Sequence, residues 1–263
     1  MHDQGVARGT AMREVLAAGR PAFGCWLSLG STAVAEVVGN AGFDWLLLDQ
    51  QHSAIGPEGL LDLIRATNLT PASPIVRVPE NDRLWIAQAL DSGAHGIMVP
   101  MVSTREGAHR AVSAVRYPPR GLRSIGGYRA PYSFGVSRES YLSGAASELE
   151  IWLQLEDAEA IENADLIASE DGVTGLFIGP QDLAAALGLA PSLEPESEIF
   201  EQALRHVRDV AATHGRHAGI LVATPDAAAR RAAEGFSLIG AAIDARMLNE
   251  AGRAILQSVR GSS

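Results

Sequence analysis

The chain contains no lysine: all 21 residues of its Lys+Arg total are arginine. Without a lysine amine it can form no Schiff base with a carbonyl substrate or pyridoxal phosphate, and it has no P-loop lysine for a nucleotide phosphate. Cysteine is almost absent as well. The single Cys25 permits no internal disulfide and no thiolate zinc site, and its place in an apolar run marks it as a core filler. No uncharged apolar run reaches the roughly 18 residues that a membrane-spanning helix needs. The N-terminus lacks a basic segment followed by an apolar one, so no secretory signal is expected and the expected location is cytoplasmic. Positive charge is also in short supply. Against 31 acidic residues the 21 arginines leave a net charge of −10, which disfavours nucleic acid or an anionic membrane as a partner.

What the chain does have is apolar residues in a regular order. Hydrophobic residues make up 47% of the 263 and charged ones 20%, enough for a packed core. No linker or low-complexity segment divides the chain, so residues 1–263 read as one domain. Short apolar runs recur at Ala22–Leu29, Trp45–Asp49, Pro74–Val78, Gly96–Val102, Ile151–Leu155, Gly175–Ile178, Ala218–Ala223 and Leu238–Ile243. They are apolar throughout, as parallel strands buried on both faces are. Helical patterns separate them at Ala33–Ala41, Pro57–Thr67, Asp82–Ser92, Arg105–Ala114, Ala158–Ala168, Glu196–His214 and Pro225–Glu234. Gly42, Gly93, Gly215 and Gly235 stand where C-caps are expected. This alternation predicts a (β/α)8 barrel. A doubly wound sheet is the alternative, but no G-x-G-x-x-G follows the first run. The longest irregular stretch, Tyr117–Val136, is expected to carry function or an interface.

In such a barrel the reacting groups lie at the carboxyl ends of the strands. That rim would collect Asp49-Gln50-Gln51-His52, Arg77, Gln154-Leu155-Glu156-Asp157, Gly179-Pro180-Gln181-Asp182, Thr224-Pro225-Asp226 and Asp244-Ala245-Arg246. Glu156 and Asp182 could hold a hard divalent cation, Mg2+ or Mn2+ by ligand type with Co2+ possible, or could cap the helices after their strands. His52, three residues past Asp49, could be a general base with an orienting carboxylate or an ordinary loop histidine. Arg77 lies inside an apolar strand and needs an anion there, either a structural partner such as Asp49 or a substrate. No glycine-rich loop follows the seventh or eighth run, which argues against a phosphorylated substrate.

Four segments in this order resemble the HpcH/HpaI family of class II aldolases: Phe43 to His52 (FDWLLLDQQH), Pro74 to Val78 (PIVRV), Arg116 to Gly121 (RYPPRG) and Leu176 to Leu183 (LFIGPQDL). The resemblance covers roughly residues 12–258 of the chain. Its members include 4-hydroxy-2-oxoheptanedioate, 2-dehydro-3-deoxyglucarate and 2-keto-3-deoxy-L-rhamnonate aldolases. The resemblance implies a barrel of the phosphoenolpyruvate/pyruvate type, with its last helix exchanged between subunits and dimers assembled into hexamers. It implies reversible, divalent-metal-dependent cleavage of 4-hydroxy-2-oxo acids to pyruvate or hydroxypyruvate and an aldehyde. Residue by residue, it makes Glu156 and Asp182 the metal ligands, His52 the acid/base with Asp49 beside it, and Arg77 the group on the 2-oxo oxygen. Backbone amides around Gly179–Asp182 would hold the substrate carboxylate, and Pro180, Gln181, Gln154, Ser124 and Leu221 would also line the substrate. Asp91 matches a catalytic aspartate supplied across a subunit interface. Acceptor specificity would fall to Arg123, Ser124, Tyr128 and Arg129 in the long loop, with a second subunit as a contributor. One position departs from the pattern. Many members have Glu where this chain has Gln51, and Gln-His forms resemble a subgroup of broader donor use, including hydroxypyruvate. Without lysine, a metal would take the place of the iminium that draws off electrons in class I aldolases. The other activities considered are a coenzyme A thioester lyase of the malyl or citramalyl type, a phosphoenolpyruvate-type mutase or lyase, and a non-enzymatic barrel.

Overall fold

Buried parallel strands need cover on both faces, and the apolar runs obtain it by closing on one another. A computed structural model describes residues 11–144 and 148–261. Its strands are β1 (Ala22–Leu27), β2 (Trp45–Asp49), β3 (Ser73–Arg77), β4 (Gly96–Val99), β5 (Glu150–Leu155), β6 (Gly175–Ile178), β7 (His217–Leu221) and β8 (Leu238–Ile243). Each pairs in parallel with the next, and β8 pairs with β1 to complete a closed barrel. The (β/α)8 expectation holds, and closure removes the doubly wound alternative.

Helices cover the outside. They are α1 (Ala11–Ala17), α2 (Thr32–Gly39), α3 (Pro57–Thr67), α4 (Arg83–Asp91), α5 (Arg105–Val115), α6 (Arg129–Phe134), α7 (Arg138–Ser143), α8 (Ala158–Glu162), α9 (Ala164–Ala168), α10 (Pro180–Ala186), α11 (Glu198–Thr213), α12 (Pro225–Ala233) and α13 (Asp244–Arg260). Their starts are chemically marked. Ser31, Asp82, Thr104, Asp157 and Thr224 each accept a hydrogen bond from a backbone N–H of the first turn. Gly42, Gly93, Gly215 and Gly235 all have positive φ, as helix exits require. The pattern read as one helix over Ala158–Ala168 is two, α8 and α9, broken at Asn163. No described helix is long and apolar enough to cross a membrane.

Successive strand residues point to opposite faces. Leu46, Leu48, Val76, Ile97, Leu153 and Leu155 turn outward into the layer beneath the helices. Trp26, Trp45, Leu47, Ile75, Met98, Trp152, Phe177 and Leu238 turn inward, and Met12 and Leu16 of α1 join them. The interior is filled by pairing large against small. The rings of Trp26, Trp45 and Phe177 stand 5.5–6.5 Å apart, centroid to centroid. Trp45 fits because β1 offers Gly24, where a Cβ would lie 2.1 Å from the indole. Trp152 likewise rests on Gly175.

Three strands are shorter than the apolar runs suggest. The runs continue to Leu29, Val102 and Ala223, but the ladders end at Leu27, Val99 and Leu221. Val102 and Val222 among the extra residues pack into the layer beneath the helices, so apolarity does not stop where the pairing does. The long stretch after α5 also differs from its expected position. It contains α6, and it packs against the N-terminal end of the barrel. Leu122 N–H donates to Ser113 O at the end of α5, Arg123 pairs with Asp91 at the end of α4 (2.8 Å), and Ser133 Oγ donates to Gly93 O.

Two tests follow from this packing. Gly24→Ala should cost about 1–3 kcal/mol by forcing Trp45 off its rotamer, read as a lower denaturant midpoint in tryptophan fluorescence. Arg231, almost wholly buried, ties α12 to α11 through Glu201 (2.6 Å) and also meets Glu234 (2.8 Å). The hydrogen bonds from Arg231 hold the Glu201 carboxyl below its ordinary 4.5. A depressed carboxylate contributes stability above its unfolded pKa, and that contribution is lost as pH falls through the folded value. Glu201→Gln should therefore lower the urea midpoint at pH 7 and flatten its decline below pH 4.5.

Candidate active site

The period-two alternation that fills the interior also builds the site. On β2 the inward series Trp45, Leu47 ends in Asp49; on β3 Ile75 is followed by Arg77; on β5 Trp152 is followed by Gln154 and then Glu156 at the strand end. Below, the series are apolar and packed; at the carboxyl rim they are polar. Asp49, Arg77, Gln154 and Glu156 are all buried.

Asp49 and Arg77 are register partners across β2 and β3. Arg77 Nε donates to Asp49 Oδ1 at 2.9 Å and Nη2 to Oδ2 at 2.6 Å, a planar two-point pair. The guanidinium lies over the Trp26 ring, 5.3 Å from its centroid. Arg77 is therefore fixed on two sides, and its Nη1 has no partner among the described residues. The structural-ion-pair reading of Arg77 is realised, and that free Nη1 leaves room for a substrate contact.

Asp49 has further work. Its Oδ1 accepts the backbone N–H groups of Gln51 (3.0 Å) and His52 (3.3 Å), and Ser53 Oγ donates to the Asp49 carbonyl. These bonds curl the chain at the strand end and carry His52 out over the rim, where it is exposed. The expected carboxylate-to-imidazole contact is not what forms. Asp49 orients the His52 backbone, because both its oxygens already face Arg77, and no described residue hydrogen-bonds the ring. Gln51 Oε1 is buried without a partner.

Glu156 is hydrogen-bonded at one oxygen and closely packed at the other. Oε2 accepts the Met101 backbone N–H at 3.0 Å. Oε1 lies against the start of α10, so close that a Cβ at Gly179 would come within 2.2 Å of it. A side chain at 179 would displace the Glu156 carboxylate. Burial pushes the Glu156 carboxyl up to about 7; the charges of Asp182 and Asp157 add to the rise, while the Met101 N–H and Arg77 oppose it. Asp182 sits in the first turn of α10, exposed, and near enough to Glu156 for its charge to raise that carboxyl. No third acidic, histidine or cysteine side chain joins the two into a closed metal cage among the described residues. The buried Gln154 Oε1 lacks a hydrogen-bond partner.

This donor set suits a hard divalent cation. It offers oxygen only, its one neighbouring guanidinium is already bound to Asp49, and a buried carboxylate with a second acid beside it is stabilised by added positive charge. The helix-capping alternative for Glu156 fails. Asp157 accepts the Ala160 N–H and caps α8, leaving the Glu156 carboxylate inside the barrel mouth.

The other expected residues divide into two groups. Gly179 gives its N–H to Leu155 O, and Pro180 has none, so within this turn Gln181 and Asp182 retain the N–H groups able to receive an anion. Leu221 ends β7 at the same rim, half-buried. Asp91 and Ser124 lie at the opposite end of the barrel. Asp91 closes α4 and pairs with Arg123, which is fully buried between Tyr117 and Tyr141, and Ser124 follows Arg123 in the loop. Within one subunit Arg123 is a structural residue, contrary to its expected part in specificity: its guanidinium anchors the loop to α4. Cys25 is buried and its thiol is raised to about 12 by burial, so it is no nucleophile.

Two contributors were hidden in the sequence. Trp26 looked like any strand aromatic, yet it supports the face of Arg77. Met101 falls within the fourth apolar run, yet it lies beyond the strand end and its N–H binds Glu156. The residue signal for Met101 was Pro100 just before it, which removes a ladder donor where β4 stops.

Comparison with known proteins agrees with this architecture. Residues 22–251 match the family model described as HpcH/HpaI aldolase/citrate lyase. A hydroxypyruvate/pyruvate aldolase of Rhizorhabdus wittichii is 39% identical over 242 residues, covering 92% of this chain and 95% of that one. A 5-keto-4-deoxy-D-glucarate aldolase of Shigella dysenteriae is 35% identical over 233 residues, 88% and 90% of the two chains. The crystal structure of an HpcH/HpaI aldolase/citrate lyase family protein from Burkholderia cenocepacia superposes with a TM-score of 0.88 at 32% identity, over 96% of this chain and all of that one. With the match running from the first barrel strand into the last helix, the chain belongs to the HpcH/HpaI aldolase/citrate lyase family.

Proposed function

We propose that the protein is a divalent-cation-dependent aldolase that reversibly cleaves 4-hydroxy-2-oxo acids to pyruvate or hydroxypyruvate and an aldehyde. The observation that carries this reading is the buried Glu156 carboxylate, within reach of the Asp182 charge and near an arginine already oriented by Asp49. The aldolase names of relatives at 35–39% identity support the reaction class over a coenzyme A thioester lyase.

Glu156 and Asp182 would hold the cation, with the buried and unpartnered Gln154 Oε1 on the same inward series of β5 as Glu156; Mg2+, Mn2+ and Co2+ all suit such oxygen donors. When bound, a divalent cation supplies Lewis-acid stabilisation of the negative charge that C–C cleavage places on the 2-oxo oxygen. Arg77 directs its free Nη1 at that oxygen, and its clamp of Asp49 and Trp26 means that little reorganisation is needed as charge develops. The N–H groups of Gln181 and Asp182 receive the substrate carboxylate. His52, exposed at the rim with an unbonded ring, removes the proton from the C4 hydroxyl in cleavage and returns it in synthesis. Leu221 gives the substrate an apolar wall. Gln51 is a neutral amide, and its buried, orphaned Oε1 can accept a hydrogen bond from the extra hydroxyl of hydroxypyruvate.

Asp91 and Ser124 reach a catalytic centre only if they belong to a neighbouring subunit, and α13 supports such an assembly. Its residues from Met247 onward are exposed, including Leu248, Ile255 and Val259. An apolar groove of about 470 Å3 lies open beside it, lined by Phe23, Phe43, Ala228 and Ala242 among others. A second copy's α13 fits that groove, giving a dimer that could build a hexamer.

Purified protein should form 4-hydroxy-2-oxo acids from pyruvate or hydroxypyruvate and an aldehyde only with Mg2+, Mn2+ or Co2+ present; undiminished turnover in excess chelator would contradict the reading. Release of free coenzyme A from a malyl-type thioester would decide for the rival lyase. Glu156→Gln should abolish turnover at any added metal concentration, while Arg77→Lys, which loses the two-point pair, should lower kcat by about 10²–10³-fold. Leu248→Glu with Ile255→Glu should shift the sedimentation coefficient to that of a smaller species, and an unchanged value would remove α13 from the interface.

A further inference from the structure

Met101 is the one non-glycine residue with positive φ (53°) among the described residues. A side chain in the left-handed region costs on the order of 1 kcal/mol, and such a conformation persists only where the surroundings impose it. The imposition here is visible. Met101 N–H donates to Glu156 Oε2 at 3.0 Å, and the next N–H, that of Val102, donates to Gln154 O at 3.0 Å. In an extended strand successive N–H groups point to opposite sides. Here two in a row serve the end of β5, so the chain must turn between them, and residue 101 takes that turn.

The side chain does not explain it. Met101 is 54% exposed at the rim, while Pro100 before it and Val102 after it are buried. With more than half of the side chain exposed, little burial offsets the backbone strain, and the two N–H bonds are the contacts that hold the turn. We propose that Met101 is a positioning residue, acting through its backbone: the left-handed turn aims its N–H at Glu156 and sets that carboxylate in the orientation in which it grips the cation. Gly179 closes the other side, since its missing Cβ leaves the space that Oε1 occupies. The inference rests on Glu156 as a cation ligand and deepens that reading. It makes the site depend on the φ of residue 101 and not on its side chain.

The test uses the full-length protein, with Mn2+ alone titrated by calorimetry, thermal unfolding of the metal-free form, and kinetics with pyruvate. Met101→Gly adopts the turn without penalty and keeps the N–H. It should bind Mn2+ within about twofold of wild type and melt at or above the wild-type temperature. Met101→Ala should bind as wild type does. Met101→Val is nearer to methionine in bulk, but its β-branch resists positive φ. It should bind Mn2+ about tenfold or more weakly, at a circular dichroism spectrum equal to wild type, with kcat at saturating metal recovering toward the wild-type value. A side-chain packing role gives the reverse order, with Val mild and Gly severe, and that order would overturn the proposal. So would equal Mn2+ affinity in all four proteins. Wild type with no Mn2+ affinity would instead overturn the cation reading on which this one stands. Where Val fails to fold, Gly and Ala still decide, because loss of affinity in either contradicts the role assigned to the N–H.

Discussion

A carboxylate in the mouth of a barrel must either take a proton or meet a positive charge, and Glu156 is placed so that both are near. Burial raises its pKa to about 7, the opposing arginine is already paired with Asp49, and the other acid at its side adds to the repulsion. In the proposed function a small cation shared by both acids resolves this conflict. The positions of Met101, Gly179 and Asp182 all make sense as surroundings of that one group.

The barrel makes such a site affordable by separating its tasks along the strand direction. The interior is apolar and tightly fitted in the lower layers, with glycine opposite each large ring, as at Gly24 beside Trp45. Asp49, Arg77 and Glu156 occupy the top of the same inward series. Their charges are held by rigid strands and fixed partners, so little movement is needed when substrate charge changes. Arg77 shows the economy of the arrangement. One guanidinium is placed by a carboxylate in its plane and an indole on its face, and one nitrogen is left over.

Much of this was legible in the residues. Eight apolar runs alternating with capped helices specify the closed barrel, and Asp49, Arg77 and Glu156 stand at run ends, where period-two alternation turns them inward. Less legible were features that depend on contact or backbone angle. Apolar runs do not record where the ladder stops, so Met101 was hidden inside one. The Asp49-His52 spacing suggests a catalytic pair, but spacing does not show that Asp49 would bind the His52 backbone rather than its ring. The long arginine-rich loop looks like a specificity loop. It follows a helix and not a strand, and that order places it at the far end, where Arg123 and Asp91 hold it. Exposure of the α13 apolar face was expected only through the family resemblance, with its exchanged last helix, since amphipathic spacing does not say what covers the apolar side.

The central claim is that one cation is shared by Glu156 and Asp182. Anomalous diffraction from crystals soaked in Mn2+ and oxalate tests it most directly, with oxalate standing in for the enolate of a 2-oxo acid. The account predicts a single strong manganese peak within about 2.0–2.5 Å of an oxygen from each carboxylate, and oxalate between it and Arg77. A site without manganese, or a peak bound to one acid while the other remains too distant to share it, would contradict the account.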